Sequence, residues 1–212
     1  MESGESRSCK RPYELGKRLE QTGRTKAAVL AAARAQLESG GMRDFSMGSL
    51  AKAAEVTRQT IHNLFGTRSG VLEALFDQIA FGGGMQRMPQ VMLERDPQRM
   101  LAAFIEVFTQ FWAGNRVLLR RIHGIAAIDP EFGAAVEARN RRRQMAATRI
   151  IERLSPGSSS WSGLQKGRAA ALLVALTSFE FFDVLAENAG SAEAAGLLHR
   201  LIKQALASVP ED

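Results

Sequence analysis

The chain has 212 residues, of which 45% are hydrophobic and 24% charged, the composition of an ordinary globular protein with room for one domain or two small ones. Its single cysteine excludes an intrachain disulfide, and its three histidines match no metal-ligand spacing, so we expect neither a metal nor a cofactor. The 28 basic and 22 acidic residues give a net charge of +6, which favours polyanionic partners.

The first part of the chain is polar and lacks a repeating apolar face, which predicts a disordered basic arm over residues 1–24. It has no apolar core of a secretory signal, and the longest uncharged apolar stretch, residues 169–179, falls short of the roughly 20 residues of a membrane span. We therefore expect a cytoplasmic protein. The basic side chains of the arm are either solvated or inserted into a DNA minor groove. They are Arg7, Lys10, Arg11, Lys17 and Arg18.

Helical periodicity begins at Thr25 and stops at the glycine pair 40–41. Ser46 is positioned to cap a second, short helix, and Thr57 is positioned to cap a third after a tight turn. Two short helices joined by such a turn, the second rich in hydrogen-bonding side chains, indicate a helix-turn-helix domain over residues 25–70.

The outer face of the third predicted helix carries side chains that hydrogen bond to bases. They are Arg58, Gln59, Thr60, His62 and Asn63. Amides pair with adenine, guanidinium groups with guanine or phosphate, and a threonine methyl group contacts a thymine methyl group. A solvated polar face on a small helical domain has the same pattern, and periodicity alone does not separate the two interpretations.

A further helix is predicted over residues 68–81, followed by a glycine-rich seam and a series of longer helices. The longer helices are expected over 97–113, 115–128, 130–154, 164–189 and 191–208. The predicted fold class is therefore all-α, with an N-terminal three-helix head and a C-terminal antiparallel helical bundle over residues 71–212.

The last predicted helix has an apolar seam at 4-3-4 spacing, and the helix before it offers apolar side chains beside that seam. These candidates for a dimer interface are Leu172, Leu176, Phe179, Leu198, Ile202, Ala205 and Val209. The seam packs either against a second copy of the chain or against its own bundle. No nucleophile elbow, phosphate loop or paired-carboxylate motif occurs, so we expect no enzymatic activity.

One stretch of about 50 residues carries a family resemblance: TKAAVLAAARAQLESGGMRDFSMGSLAKAAEVTRQTIHNLFGTRSGVLEALF. It resembles the N-terminal domain of TetR-family transcriptional repressors. The matching positions are Ala32, Ala33, Leu37, Gly41, Phe45, Ser46, Met47, Leu50, Ala51, Val56, Thr57, Thr60, Ile61, Phe65, Arg68 and Leu72. The chain departs from the family pattern at Glu55, where glycine is usual, at His62, where tyrosine is usual, and at Leu64. We expect the first departure to strain the turn.

The resemblance implies a homodimeric repressor that binds a palindromic operator and is released from DNA by a small apolar or aromatic effector. Its DNA-binding residues would be Ser46, Thr57, Arg58, Gln59, Thr60, His62, Asn63 and Arg68. Of these, Ser46 and Arg68 would hold phosphates. The alternative is an all-α basic interaction or scaffold protein that does not read DNA sequence.

The resemblance also implies a ligand cavity in the C-terminal bundle, where an aromatic stripe follows helical spacing. The candidate pocket residues are Phe104, Phe108, Phe111, Trp112, His123, Met145 and Phe179. The polar residues that interrupt these apolar surroundings are Glu106, Glu180 and Asp183, together with His123. Simple core packing explains the same stripe, and we interpret the arginine run over residues 139–143 as a solvated face.

Overall fold

The computed structural model of the chain describes residues 10–39, 45–155 and 161–209, and these contain ten α-helices, one 3₁₀ helix and no strand. The α-helices are α1 (Lys10–Ser39), α2 (Met47–Ala53), α3 (Arg58–Phe65), α4 (Arg68–Gly82), α5 (Met88–Leu93), α6 (Pro97–Ala126), α7 (Pro130–Leu154), α8 (Gly163–Leu176), α9 (Phe179–Ala189) and α10 (Ser191–Ala207). The 3₁₀ helix is Met85–Arg87. The predicted all-α class is confirmed.

The chain divides into two compact units, residues 1–75 and residues 76–212. The boundary lies inside α4, which continues without a break from one unit into the next. In the N-terminal unit, α2 packs against both α1 and α3. Its core consists of small and aliphatic side chains that are fully or almost fully buried: Val29, Ala33, Leu37, Leu50, Ile61, Val71 and Leu72.

Helix α1 begins at Lys10 rather than at Thr25, so the predicted disorder is wrong for residues 10–24. Residues 16–24 are mostly exposed, in keeping with their lack of an apolar period. They are nevertheless rich in strong helix formers, and the helix extends from a C-terminal part whose Val29 is buried. Residues 1–9 and the predicted stop at 40–41 lie outside the described residues.

In the C-terminal unit, both predicted Asp-Pro starts are found. The Asp96 carboxylate accepts a hydrogen bond from the Gln98 amide at 2.8 Å, and the Asp129 carboxylate accepts one from the Phe132 amide at 3.2 Å. The two helices predicted over 97–113 and 115–128 form the single element α6, which is broken at Asn115 (φ −134, ψ 17). The break therefore lies where the sequence predicts it.

The helix predicted over 164–189 is wrong, because it is two helices, α8 and α9, with a bend of 50° between them. The Thr177 hydroxyl donates to the Leu173 carbonyl at 2.6 Å, and the Ser178 hydroxyl caps α9 by accepting from the Phe181 amide at 3.2 Å. No single helix among the described residues is long and apolar enough to cross a membrane, and only this bent pair meets that length and composition test when its two members are combined.

The glycine-rich seam is followed by ordered short helices that the sequence analysis does not predict. The 3₁₀ helix follows Gly84, whose φ of 97 favours glycine, and Pro89 lies in the first turn of α5. Because this segment packs against α6, it brings three methionine side chains to one side of the C-terminal unit. They are Met85, Met88 and Met92.

Candidate nucleic-acid interface and ligand cavity

The turn between α2 and α3 is held by backbone hydrogen bonds at the end of α2. The Val56 amide donates to the Ala51 carbonyl at 3.0 Å, and the Glu55 amide donates to the Lys52 carbonyl at 3.4 Å. This pair of bonds is the Schellman arrangement, in which the residue after the cap adopts a left-handed conformation and is usually glycine. Here that residue is Glu55, with φ 54. The expected strain in the turn is confirmed by this backbone angle.

Both ends of α3 are fixed by side chains of the segment itself. At its start, the Thr57 hydroxyl accepts a hydrogen bond from the Thr60 amide at 3.0 Å. At its end, the Gly66 amide donates to the His62 carbonyl at 2.8 Å, and the His62 ring nitrogen Nδ1 lies 2.6 Å from the Gly66 carbonyl oxygen. Ile61 is fully buried and anchors the helix on its inner face. The helix therefore presents its outer face in a fixed orientation within the N-terminal unit.

That outer face is polar and accessible. Arg58, Gln59, His62 and Asn63 are exposed, and Thr60 is half-buried beside the cap. The Gln59 amide nitrogen donates to the Asn63 side-chain oxygen at 2.8 Å, so the two amides form one hydrogen-bonding surface. Such amide groups match the donor and acceptor pattern of adenine in the major groove.

Arg58 contacts helix α2 within the N-terminal unit. Its guanidinium group lies over Gly48 at the start of α2, where a Cβ atom would collide with it. A glycine at this position is therefore what allows the arginine side chain to lie back across α2.

The helix starts of this unit suit an anion. Helices α2, α3 and α4 contain no acidic side chain in their first turns, so no carboxylate opposes the positive end of each helix dipole. Ser46 caps α2 through a capping box with Ser49, at 3.1 and 3.0 Å. Arg68 begins α4 and is half-buried.

The C-terminal unit contains a cavity of about 530 Å³, within the usual size range of small-molecule sites. Aromatic and methionine side chains form one continuous group within its wall. They are Phe76, Phe108, Phe111 and Trp112, with Met85, Met88 and Met92. Contacts between the rings fix the wall, since the Phe111 and Trp112 centroids are 4.8 Å apart and those of Phe108 and Trp112 are 5.7 Å apart.

Three arginines of α7 line this cavity: Arg139, Arg142 and Arg143. The Arg139 guanidinium pairs with the Asp77 carboxylate of α4 at 2.6 Å and lies 5.0 Å above the Phe76 ring. The Arg143 guanidinium lies 5.9 Å from the centre of the Phe108 ring and donates to the Val174 carbonyl at 2.8 Å. The cavity therefore combines an apolar wall with guanidinium groups.

His123 lies at the same cavity and pairs with an exposed carboxylate. Its Nδ1 atom is 2.7 Å from the Glu180 Oε1 atom, and its ring centre is 4.9 Å from that of Phe179. The hydrogen bond from His123 lowers the pKa of Glu180 from 4.5 to about 2. Glu180 is thus an anion at neutral pH, and it fixes the orientation of the imidazole.

Comparison with known proteins agrees with this helix-turn-helix geometry. Residues 29–75 match the family model of bacterial regulatory proteins of the tetR family. The match covers the helix-turn-helix part of the chain, which is therefore similar to the DNA-binding domain of that family. The family is one of transcriptional regulators rather than enzymes.

Individual proteins extend the comparison. The chain is 30% identical over 112 residues to the HTH-type transcriptional regulator EthR of Mycolicibacterium smegmatis, a match that spans about half of each protein, 50% of this chain and 49% of the relative. Its fold is similar to that of a TetR transcription regulator from Haloarcula marismortui (TM-score 0.67, 14% identity, 91% of this chain and 99% of the other). It is also similar to that of NalD, the secondary repressor of the MexAB-OprM multidrug efflux pump in Pseudomonas aeruginosa (TM-score 0.66, 18% identity, 87% and 96%).

The structure divides the predicted pocket residues into three groups. Phe108, Phe111, Trp112 and His123 line the cavity. Phe104 and Phe179 are buried but pack behind the wall rather than lining it. The prediction is wrong for Met145, whose exposed fraction is 64% and which lies in a shallow groove on the outer face of α7.

The predicted dimer seam is also divided. Leu198 and Ile202 are completely buried inside their own unit, as Phe179 nearly is, so the prediction that they face a second copy is wrong. The 4-3-4 spacing of this helix therefore reflects packing against its own bundle, which was the alternative to packing against a second copy. Two of the predicted residues, Leu172 and Val209, line a shallow groove on α8, together with Ala171 and Ala175. Leu176 and Ala205 are half-buried, and Leu201 on α10 is 38% exposed.

Sequence reasoning missed Arg139 and Arg143, which it assigned to a solvated face. The Arg139 side chain is only 14% exposed, and Arg143 is half-buried. A signal for this placement was present, because the two arginines are four residues apart and continue the buried stripe of Val136 and Ala147 on the same side of α7. Arg141 and Arg142 between them are exposed, as predicted.

Proposed function

We propose that this protein is a TetR-family, ligand-responsive transcriptional repressor that binds a palindromic operator as a homodimer in the cytoplasm. In this proposal the unit ending at Leu75 reads DNA, and the unit beginning at Phe76 binds the effector and forms the dimer. The observation that carries it is the exposed polar face of α3, held by caps at both ends of the helix. The names of the relatives support the regulatory role, since EthR is a transcriptional regulator and NalD a repressor.

Sequence reading is assigned to the side chains that project farthest from α3. The joined amides of Gln59 and Asn63 suit an adenine, and Thr60 adds a methyl group for thymine. His62 adds a ring that reaches a phosphate or a base edge. Thr57, Ser46 and Arg68, at the starts of three helices, fix the register by contacting phosphates.

Homodimer formation follows from the size of the reading element. Helix α3 has 8 residues, and a single element of that length contacts few base pairs, whereas two half-sites multiply the discrimination. The shallow groove of α8 and Val209, with the exposed Leu201 of α10, offers a surface for the second copy.

Effector control is assigned to α4, because this helix continues from the DNA-binding unit into the wall of the cavity. Phe76 and Ala80 of α4 line the cavity, and Asp77 ties the helix to Arg139 of α7. A ligand in the cavity would favour one of two packings of α4 and so change operator affinity. We expect a coupling of about 1–3 kcal/mol, and operator DNA must then weaken ligand binding by the same factor.

The deciding experiment is selection of bound sites from randomised duplex DNA, with the wild type, Gln59→Ala and a control, Gln98→Ala, an exposed glutamine in the other unit. The wild type and the control should enrich a palindrome. Gln59→Ala should lose about 1–3 kcal/mol of binding free energy and relax one position of each half-site. Enrichment of no sequence by the folded wild type would favour the alternative of a basic scaffold protein.

The dimer is tested at Leu201, which is 38% exposed on α10. Leu201→Glu should convert a dimer into monomers in sedimentation, because the variant buries a charge in an apolar interface. Leu93→Glu, at an exposed leucine of α5, is the matched control and should remain dimeric. A wild type that sediments only as a monomer, with and without operator DNA, would contradict the homodimer.

A further inference from the structure

The cavity contains a guanidinium that is incompletely paired. The Arg143 Nη1 atom donates to the Val174 carbonyl at 2.8 Å and to the Thr177 hydroxyl at 3.3 Å. Its Nε atom is buried and has no hydrogen-bond partner within the described part of the chain. Burying a charged group with one donor unpaired is costly, so an oxyanion that reaches the cavity side of this guanidinium would offset part of that cost.

The nearby carboxylates do not supply the missing partner of Arg143 inside the cavity. Burial lowers the pKa of the Arg143 guanidinium, while the carboxylates of Glu180 and Glu137 oppose that change. Neither glutamate lines the cavity. The one carboxylate that does, Asp77, is paired with Arg139.

The ionic lining of the cavity is therefore mainly cationic. It comprises Asp77, Arg139, Arg142 and Arg143. An arginine fork matches the geometry of a carboxylate, and a guanidinium in a partly dry site binds an anion more strongly than one in water. A primary amine at the same place would be repelled.

The aromatic and methionine side chains of the wall determine what the uncharged part of the ligand must be. Phe108 lies under the Arg143 guanidinium, and Phe111, Trp112 and the methionines continue the surface away from it. Methionine side chains adapt to irregular apolar shapes. A molecule with an apolar body and a single charged end fits this division of the surface.

We propose that the cavity binds an amphipathic organic anion whose carboxylate, or an equivalent oxyanion, pairs with Arg143 while its apolar body lies against the aromatic and methionine wall. That this anion acts as an effector rests on the proposed function. Its binding does not, because the cavity and the incompletely paired guanidinium belong to the C-terminal unit alone.

The test uses three probes that share one body and differ in the charge of the head: phenylbutyrate, phenylbutanol and phenylbutylamine. Binding to the full chain is measured without DNA, by calorimetry and by quenching of Trp112 in a Trp161→Phe background, which leaves one of the two tryptophans. The acid should bind about tenfold or more tightly than the alcohol, and the amine most weakly. Equal affinities, a preference for the alcohol or amine, or no binding of the acid would overturn the proposal.

Variants locate the head group. Arg143→Gln should remove the advantage of the acid over the alcohol and leave the affinity for the alcohol nearly unchanged. Arg141→Gln, at an exposed arginine on the outer face of α7, is the matched control and should keep the advantage. A folded Arg143→Gln protein that still prefers the acid would overturn the assignment. If Arg143→Gln does not fold, the comparison of the three probes on the wild type still decides the ligand class.

Operator release is measured separately with the same probes. If the acid binds at Arg143 but no operator is found or released, the anion site stands and the proposed function fails. If the alcohol releases the operator and the acid neither binds nor releases it, the anion site fails and the proposed function stands.

Discussion

The two units of this protein keep their functional groups in different places. In the N-terminal unit these groups stand on the exposed face of α3, and the interior serves only to hold that helix. In the C-terminal unit they surround a cavity that is lined by both arginines and aromatic rings. The position of the exposed α3 face is set by caps and turns that are close in sequence. The shape of the cavity is set by side chains that are distant in sequence and that pack without filling all the space between them.

The helix ends show the same contrast. The short helices of the N-terminal unit begin without acidic side chains, so their positive ends stay available to phosphate. In the C-terminal unit α7, α9 and α10 begin with Glu131, Glu180 and Glu193, which stabilise those helices from within. Helices α2, α3 and α4 thus all begin without an acidic side chain, whereas three of the six helices that start in the C-terminal unit begin with one.

The largest expected change is a loss of stability that distinguishes the wall of the cavity from the packed core behind it. Phe104 is completely buried and does not line the cavity, whereas Phe108 lines it, with the ring centroids 4.8 Å apart. Phe104→Ala should lower the free energy of unfolding by about 3–5 kcal/mol. Phe108→Ala enlarges a space that already exists, so it should cost less and should change ligand affinity instead.

Both tryptophans lie in the C-terminal unit, so urea denaturation followed by their fluorescence reports on that unit. Equal losses of stability in the two variants would show that the wall of the cavity is packed like the core. The distinction drawn between the two phenylalanines would then be wrong.

Local rules explain how much of the exposed site the sequence predicts. Ser46, Thr57, Asp96 and Asp129 cap the helices that the sequence assigns to them, because a capping side chain bonds to an amide two or three residues away. The left-handed residue at Glu55 is also a local matter, since the turn demands it whatever the side chain is. None of these features depends on a distant partner.

Tertiary packing explains the errors. Leu198 and Met145 both follow helical spacing, yet one is buried in the bundle and the other is exposed, because spacing identifies a face but not what covers it. The break between α8 and α9 is stabilised from elsewhere in the chain, where the Trp112 ring nitrogen donates to the Thr177 carbonyl at 3.1 Å. The cavity depends on the same kind of long-range contact.

A smaller effect tests the strain in the exposed unit. Glu55→Gly should raise the free energy of unfolding of the N-terminal unit by about 0.5–1 kcal/mol, because glycine adopts φ 54 without a steric penalty. Gly66→Ala is the opposite case: no atom within 4 Å opposes a Cβ, yet φ 73 disfavours alanine, so stability should fall by about 1 kcal/mol. Thermal unfolding followed by circular dichroism measures both. A Glu55→Gly protein less stable than the wild type would mean that Glu55 contributes more than its strained backbone removes.

The smallest effect concerns charge in the C-terminal unit, at Glu180. Its pKa in the folded chain, about 2, lies below its ordinary value of 4.5 because it accepts a hydrogen bond from His123. The stabilisation is therefore fully present above about pH 4.5 and is lost as the pH falls towards 2. Because Glu180 is 68% exposed, solvent screening limits the contribution to less than about 1 kcal/mol.

Glu180→Gln should lower stability slightly at pH 7, and the difference from the wild type should shrink with acidification, as measured by urea denaturation across that range. Glu152→Gln, at an exposed glutamate of α7, is the control. A difference that grows as the pH falls would mean that Glu180 is raised in pKa rather than lowered, and that His123 is not its partner. Operator affinity should be the same in both variants, because both glutamates lie in the C-terminal unit, whereas the proposed DNA-reading face lies on α3 of the N-terminal unit.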